Sequence, residues 1–375
     1  MWAGARPAEG LVPLISLLLA AFISALVILA IGEDPIAATK LMVEGAVGSV
    51  RGWGYTLYYA TNFIFTGLAV AVAFHARLFN IGGEGQAMLG GLGVAMALLF
   101  IPWPHWALGL IAATAGAAVF GAFWAFIPAY LQAKRGSHIV ITTIMFNFIA
   151  SALLIYVINE FLKPVGQADP SSARFAAHLD LPTLNSILSG MGIKASKDDS
   201  VNVTFLIALA SAFAVWVLMW RTRLGYEIRA FGHSESAAKY AGINPVRITV
   251  ITMLISGALA GLMGVNTVMG ESERLLLNST EGAGFIGIAV ALMGRSHPVG
   301  VVIAAILFGF LYQGGAELAL WTTIPRELIV VIQALVILFT GALDNMVRMP
   351  LERLFLAARN RRAPGPERKP VEPVE

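Results

Sequence analysis

WGYTLYYATNFIFTGLAVAVAFHARLFNIGGEGQAMLGG, residues 53–91, is the stretch from which the fold can be read. Its first part, 53–76, contains no Asp, Glu, Lys or Arg and exceeds the roughly 20 apolar residues that a helix needs to cross a bilayer. Arg77 ends that block. Asn80-Ile81-Gly82-Gly83-Glu84-Gly85-Gln86 then mixes three polar side chains with three glycines before a second apolar block begins. A regular helix does not hold such a stretch cheaply. It reads either as a hairpin at the membrane surface or as an unwound segment facing a water-filled path.

The same alternation runs along the whole chain. Apolar blocks of spanning length cover about 11–32, 53–76, 84–101, 106–131, 138–160, 202–220, 248–270, 281–294, 298–316 and 326–346. The expected fold is therefore an all-α polytopic membrane protein with about ten transmembrane helices. Composition agrees: 58% of the 375 residues are hydrophobic and 13% charged, with a mean hydropathy of +0.77, whereas a soluble domain carries roughly 25% charged residues. The run from Leu11 to Ile31 is longer than the roughly 7–15 apolar residues of a signal peptide, and no small-x-small cleavage pattern follows it, so it reads as a retained span.

Charge sorts the connections. With the N-terminus inside, the inside loops hold Arg77, Lys134, Arg135, Arg221, Arg223, Arg229, Lys239, Arg247 and Arg295. The outside loops hold Glu33, Asp34, Glu44, Asp169, Asp180, Asp198, Asp199, Glu271, Glu273 and Glu317. This bias follows the positive-inside rule and puts both termini in the cytoplasm. It also explains the net charge of +3 without nucleic acid, since the basic residues sit between apolar blocks. The expected organisation is a transmembrane domain over 1–350, with an outside loop at 161–201 and an inside loop at 221–247. A Pro-rich charged tail, 351–375, is expected to be disordered.

A weak internal repeat is visible. Glu84-Gly85-x-x-x-Leu89-Gly90 opens the third block and Glu281-Gly282-x-x-x-Ile286-Gly287 the eighth. An offset of five spans reverses direction through the membrane, so the pair describes an inverted repeat of five. The alternative is chance recurrence of Gly and Ala in apolar helices.

Several chemistries are excluded. No GxxxxGK[ST] occurs, so the chain hydrolyses no ATP through a P-loop. The six His are scattered with no HExxH, there is no Cys, and Gly294-Arg295-Ser296-His297 lacks the second Gly of a nucleophile elbow. No catalytic residue, metal site or cofactor is expected. Gly282-Ala283-Gly284-Phe285-Ile286-Gly287 matches a dinucleotide fingerprint in letters only, because it opens an apolar span and suits close helix packing.

What remains is a set of polar residues inside or at the ends of spans: Asn62, Thr66, Asn80, Glu84, Gln86, Asn147, Asn266, Glu281 and Gln313. Intramembrane polar groups are costly without partners and tend to face the bundle interior. Each is a candidate for a substrate pathway, with interhelical hydrogen bonding as the competing explanation. The inside loop carries a second pattern, Thr222 to Gly232 followed by Ser236 to Ile243. It is a short glycine-bounded helix, too polar to span and suited to docking in a partner's cleft.

Three motifs in order resemble a known family. Gly67-Leu68-Ala69 through Phe79 to Gln86, Gly225-Tyr226-x-Ile228-Arg229-Ala230-x-Gly232 with Ala237-Ala238-x-Tyr240-Ala241-Gly242-Ile243, and Gly284 through Arg295 with His297-Pro298-x-Gly300 resemble the signatures of permease subunits of nucleoside and simple-sugar ABC importers. That group is similar to the ribose and branched-chain amino-acid permeases. The likeness covers about 55–340, and Gly83 departs from it, where Ala is more usual. It implies a multi-pass protein of the cytoplasmic membrane that is no enzyme and moves nucleosides or simple sugars on ATP hydrolysis by a separate ATPase subunit. It also implies a second, identical or homologous permease and an extracytoplasmic substrate-binding lipoprotein, besides the membrane lipid. ATPase coupling would then fall on Gly225, Arg229, Ala230, Gly232, Ala237, Ala238, Tyr240 and Gly242. An ion-coupled secondary transporter is the rival. It would need titrating carboxylates at mid-membrane, where Glu84, Glu160 and Glu281 are the only candidates and all lie near span ends.

Overall fold

The computed structural model describes residues 6–183, 186, 201–322, 330, 331, 334 and 335. The chain divides into two units, Met1–Pro35 with Val330–Glu375, and Ile36–Ile329. The first contributes α1 (Arg6–Ile31), which covers the first apolar block. The tail 351–375 and the block 326–346, apart from 330, 331, 334 and 335, lie outside the described residues.

The second unit holds the remaining helices. They are α2 (Pro35–Val47), α3 (Val50–His75), α4 (Gly83–Leu99), α5 (Trp106–Arg135), α6 (Ile139–Val157), α7 (Thr204–Arg221), α8 (Arg223–His233), α9 (Glu235–Tyr240), α10 (Pro245–Gly264), α11 (Ala283–Met293) and α12 (Pro298–Trp321). Two of them run on into a wider π turn, α6 through Ile158–Leu162 and α10 through Val265–Glu271. Among the described residues no strand exceeds an isolated bridge.

Six of these helices, with their π turns, are long and apolar enough to cross a membrane: Val50–His75, Trp106–Arg135, Ile139–Leu162, Thr204–Arg221, Pro245–Glu271 and Pro298–Trp321. The sequence blocks 84–101 and 281–294 are different. Helix α4 has 17 residues and rises about 26 Å, and α11 has 11 residues and rises about 16 Å, against the roughly 30 Å of a bilayer core. The reason is local. Helix α4 takes the second half of the polar run, Gly83 to Gln86, as its first turn and ends at Leu99, and Gly282 at φ +78° opens α11. The turn Gly294-Arg295-Ser296 then closes α11, with both Arg295 (φ 52°) and Ser296 (φ 54°) in the left-handed region. Ordinary L-residues pay roughly 1–2 kcal/mol for that conformation. Pro298 at the first turn of α12 follows at once.

The centre is α3 and α10, the most enclosed of the six. Helices α4, α5 and α10 meet backbone to backbone. A Cβ on Gly90 would stand 2.3 Å from the carbonyl oxygen of Gly261, and one on Gly121 would stand 2.2 Å from that of Gly257. Without a hydrophobic drive between helices in lipid, such close approach supplies the dispersion contact that holds a bundle. On the outer faces of α5, α6 and α7, Ile111, Phe123, Phe148 and Phe213 stay exposed.

The segment after α6 does not behave as a purely solvated loop. Ser172 N–H donates to the Leu275 carbonyl at 3.0 Å and Phe175 N–H to that of Glu273 at 2.8 Å, while Arg174 pairs with Glu273 at 2.7 Å. Leu162, Phe175, Leu179 and Leu181 are buried against α4 and α5. Apolar residues among its prolines and aspartates fold it back onto the bundle. Residues 184, 185 and 187–200 lie outside the described part.

Candidate functional site

Helices α4 and α11 meet at their N-termini. Glu84, in the first turn of α4, is only 6% exposed. Its Oε2 accepts the backbone N–H of Gly284 at 2.8 Å. Its Oε1 accepts the N–H of Gly282 at 3.0 Å and the hydroxyl of Thr280 at 2.5 Å. A helix N-terminus has unsatisfied N–H groups and a partial positive charge, so a carboxylate placed there is stabilised twice over. The two chain starts touch directly, because a Cβ on Gly284 would lie 2.2 Å from the Glu84 nitrogen.

Behind this joint lies a closed lock. Asn80 Nδ2 donates to Gln86 Oε1 and to Ser256 Oγ, each at 2.9 Å. Its Oδ1 accepts the N–H of Gly82 at 2.9 Å and Gln86 Nε2 at 3.1 Å. Ser256 donates onward to the Ala69 carbonyl at 2.6 Å. Asn147 of α6 accepts the N–H of Gly85 and donates to the Ile81 carbonyl, both at 2.9 Å. Each of these side chains is buried. Asn80 has used its whole hydrogen-bonding capacity, two donors and two acceptor sites.

A second network joins α3, α7 and the π turn of α10. Asn266 Nδ2 donates to Asn62 Oδ1 at 2.9 Å and to the Tyr58 carbonyl at 3.2 Å. Its Oδ1 accepts Asn202 Nδ2 at 3.2 Å and the Thr204 hydroxyl at 2.6 Å. The π turn makes this reach available, since one extra residue per turn rotates Asn266 toward α3.

Beside Asn62 of this second network opens a cavity of about 140 Å³. Tyr58, Tyr59 and Asn62 of α3 line one side and Tyr312 of α12 another, with Glu271 and Glu281 at its polar rim. The rings of Tyr58 and Tyr59 meet edge to face at 5.2 Å, and those of Tyr59 and Tyr312 are tilted at 4.5 Å. Among the described residues, no Lys, Arg or His lines this cavity. Its wall at Thr280 and Ala283 is the loop that Glu84 holds.

Of the residues picked from the sequence, Asn62 and Glu281 line the cavity. Glu84 and Asn266 bond to lining residues Thr280 and Asn62, whereas Asn80, Gln86 and Asn147 belong to the lock around the start of α4 and do not line the cavity. Thr66 bonds back to the Asn62 carbonyl at 3.1 Å, and Gln313 donates to Glu317 at 3.4 Å. Sequence reasoning missed Tyr58, Tyr59, Tyr312 and Glu271. Three tyrosines close to polar Asn62 and Gln313 within apolar spans were the available signal, because a buried tyrosine hydroxyl needs a polar neighbour.

The other group of residues lies on α8 and α9. Gly225 and Gly232 have no room for a side chain, with the Leu218 and His75 carbonyl oxygens 2.1 and 2.0 Å from where their Cβ would be. Arg229 puts its guanidinium 5.9 Å from the centre of the Trp220 ring, and its Nε is buried with no hydrogen-bond partner. Ala230 is half-buried and Ala238 buried, whereas Ala237, Tyr240 and Gly242 are exposed. Ala238 thus faces the permease itself, and the outward face of α9 is Ser236, Ala237, Lys239 and Tyr240. A cavity of about 310 Å³ opens beside it, lined by Arg77, Gln132, Phe231 and Glu235 among others.

Residues 52–341 match the family described as the permease component of branched-chain amino acid transport systems. The chain is 34% identical to the guanosine ABC transporter permease protein NupP of Bacillus subtilis over 88% of its own length and 93% of the relative's. It is 34% identical to the glucose ABC transporter permease protein TsgB13 of Haloferax volcanii over 87% and 86%. To NupQ, a second guanosine ABC transporter permease protein of B. subtilis, it is 28% identical over 72% and 84%.

Proposed function

The chain belongs to the family of permease components of branched-chain amino acid transport systems, and on that premise we propose that it carries nucleosides or simple sugars across the cytoplasmic membrane, powered by a separate ATPase. The observation that carries the substrate reading is the cavity between α3, α10 and α12. Its tyrosine rings offer flat faces to a base or a sugar ring. Its carboxylates and amide offer acceptors and a donor to hydroxyl groups. The same rim, with two carboxylates and no cation among the described residues, disfavours anions. A neutral, hydroxyl-rich solute fits that chemistry better than a zwitterionic amino acid or a phosphate ester.

The direct test is competition for uptake of a labelled nucleoside in cells that carry this chain as their sole such permease. Unlabelled nucleosides or hexoses compete under this reading, and nucleoside monophosphates and leucine do not. Competition by leucine at the same concentration as by nucleosides would overturn it.

The arrangement in the membrane follows from charge and from the α4–α11 joint. Residues 221–247 and both termini are assigned to the cytoplasm, and 161–201 to the outside, for the positive-inside bias. Helices α4 and α11 are assigned as half-length members of an inverted repeat, supported by their matched Glu-Gly starts and their N-terminus-to-N-terminus contact. About ten membrane segments result when the two half-helices, α1 and the block 326–346 are counted with the six long ones. The exposed apolar faces of α5, α6 and α7 are assigned to lipid.

Partners are assigned by the same premise. An ATPase docks on the outward face of α9 and the flanking turns. A second permease completes the transporter. NupP and NupQ are both named guanosine permeases of one organism, which supports a homologous rather than an identical second subunit. An extracytoplasmic binding lipoprotein delivers the solute to the 161–201 side.

A further inference from the structure

We propose that Trp220, with the His297 ring tilted against it, links the cytoplasmic helix α8 to the cavity by way of α11, which acts as a short rigid rod. The inference rests on the reading of α8 and α9 as the ATPase-facing helices.

The contacts form an unbroken series. Arg229 of α8 lies over the Trp220 ring. Trp220, at the end of α7, meets the His297 ring at 5.0 Å and the His75 ring at 5.3 Å. His75 Nε2 lies 3.1 Å from the Ser296 carbonyl oxygen. His297 and Ser296 belong to the turn that closes α11. At its other end α11 begins with Ala283, in the cavity wall. Eleven residues give the rod a length of about 16 Å.

Two features suit this part of the chain to transmission. Helix α11 is tightly packed on one face: a Cβ on Gly287 would stand 2.6 Å from Thr66 and one on Gly284 would overlap the start of α4. Close-packed backbones of this kind shift as units instead of deforming continuously. The pivot turn holds two consecutive non-glycine residues with positive φ, a conformation that clusters at switch regions. The buried Arg229 Nε without a partner marks the α8 contact as one that a second arrangement could satisfy better.

The absence of cysteine makes a clean test available that needs no knowledge of the transported solute. Ser279→Cys places one thiol in the cavity wall. In the assembled transporter, the rate of its labelling by a methanethiosulfonate reagent is measured with and without ATP and vanadate. The expected result is an ATP-dependent change of about threefold or more, of the size that coupling residues typically control. It should vanish in Trp220→Ala and in His297→Ala and persist in Trp220→Phe, with ATPase co-purification and basal hydrolysis retained. An unchanged ATP response in Trp220→Ala or His297→Ala overturns the proposal. So does loss of assembly in both, which would make the cluster a structural plug. Failure of the substrate reading would appear separately, in the competition profile and not in this labelling rate.

Discussion

The carboxylate of Glu84 accepts the backbone N–H of Gly284 at 2.8 Å, across 200 residues of sequence. That bond, with those from Gly282 and Thr280, joins two half-length helices start to start and fixes the loop that forms one wall of the cavity.

Removing the charge should loosen the joint. Hydrogen bonds to charged groups contribute about 1.5–3 kcal/mol in net terms. Glu84→Gln turns one accepting oxygen into a donor that faces backbone donors. We expect a loss of about 2 kcal/mol in stability, seen as a lowered unfolding temperature of the purified assembly. Equal stability of Glu84→Gln and the parent would show that the joint is held by packing alone.

Two glycines should respond in unequal measure. Gly261→Ala forces a methyl to within 2.3 Å of the Ala117 carbonyl, and overpacking of a tight contact costs about 1–3 kcal/mol or more. Gly136→Ala ends α5 in open space and meets only the roughly 1–2 kcal/mol penalty of a positive φ. Membrane-inserted yield should fall for both, and further for Gly261→Ala than for Gly136→Ala.

The Asn266 network predicts a loss on truncation. Asn266→Ala strips partners from Asn62, Asn202 and Thr204, all buried. Each unsatisfied buried group costs about 1–3 kcal/mol, so this variant should unfold more readily than Thr66→Ala, which removes only a bond within α3. Equal effects would place the weight elsewhere.

Sidedness is checked by labelling single cysteines from outside intact cells. Val165 and Ser236 are both exposed. The thiol of Val165→Cys should react with a membrane-impermeant reagent and that of Ser236→Cys only after lysis. Labelling of the latter in intact cells would invert the assigned topology.

Much of this was legible in the sequence, for identifiable reasons. The six long spans announce themselves because each is a run of apolar residues bounded by charge. Interruptions near 80–86 and 281–282 were legible as well, since glycine beside polar side chains breaks an apolar run, although Gly83 to Gln86 turn out to form the first turn of α4. Their joining was not, because nothing local says that Glu84 finds the N–H groups of Gly282 and Gly284. Asn80, Gln86 and Asn147 read as pathway residues and are hydrogen-bonded to neighbouring segments, for a polar side chain in a span has the same letter whether it serves a solute or a neighbour. Tyr58, Tyr59 and Tyr312 were passed over for the converse reason. Aromatic residues in spans usually pack, and only the folded positions of α3 and α12 bring these three rings together beside two glutamates.

The measurement that bears most directly on the cavity as the solute's route is initial-rate uptake of a labelled nucleoside by the transporter carrying Tyr59→Ala, Glu281→Gln or Tyr312→Ala, with ATPase co-purification as the control for assembly. Loss of one stacked ring or one charged hydroxyl partner should each lower the rate about tenfold or more, the equivalent of about 1.4 kcal/mol, while assembly stays at the parent level. Parental uptake in all three variants would contradict the assignment of this cavity to the pathway.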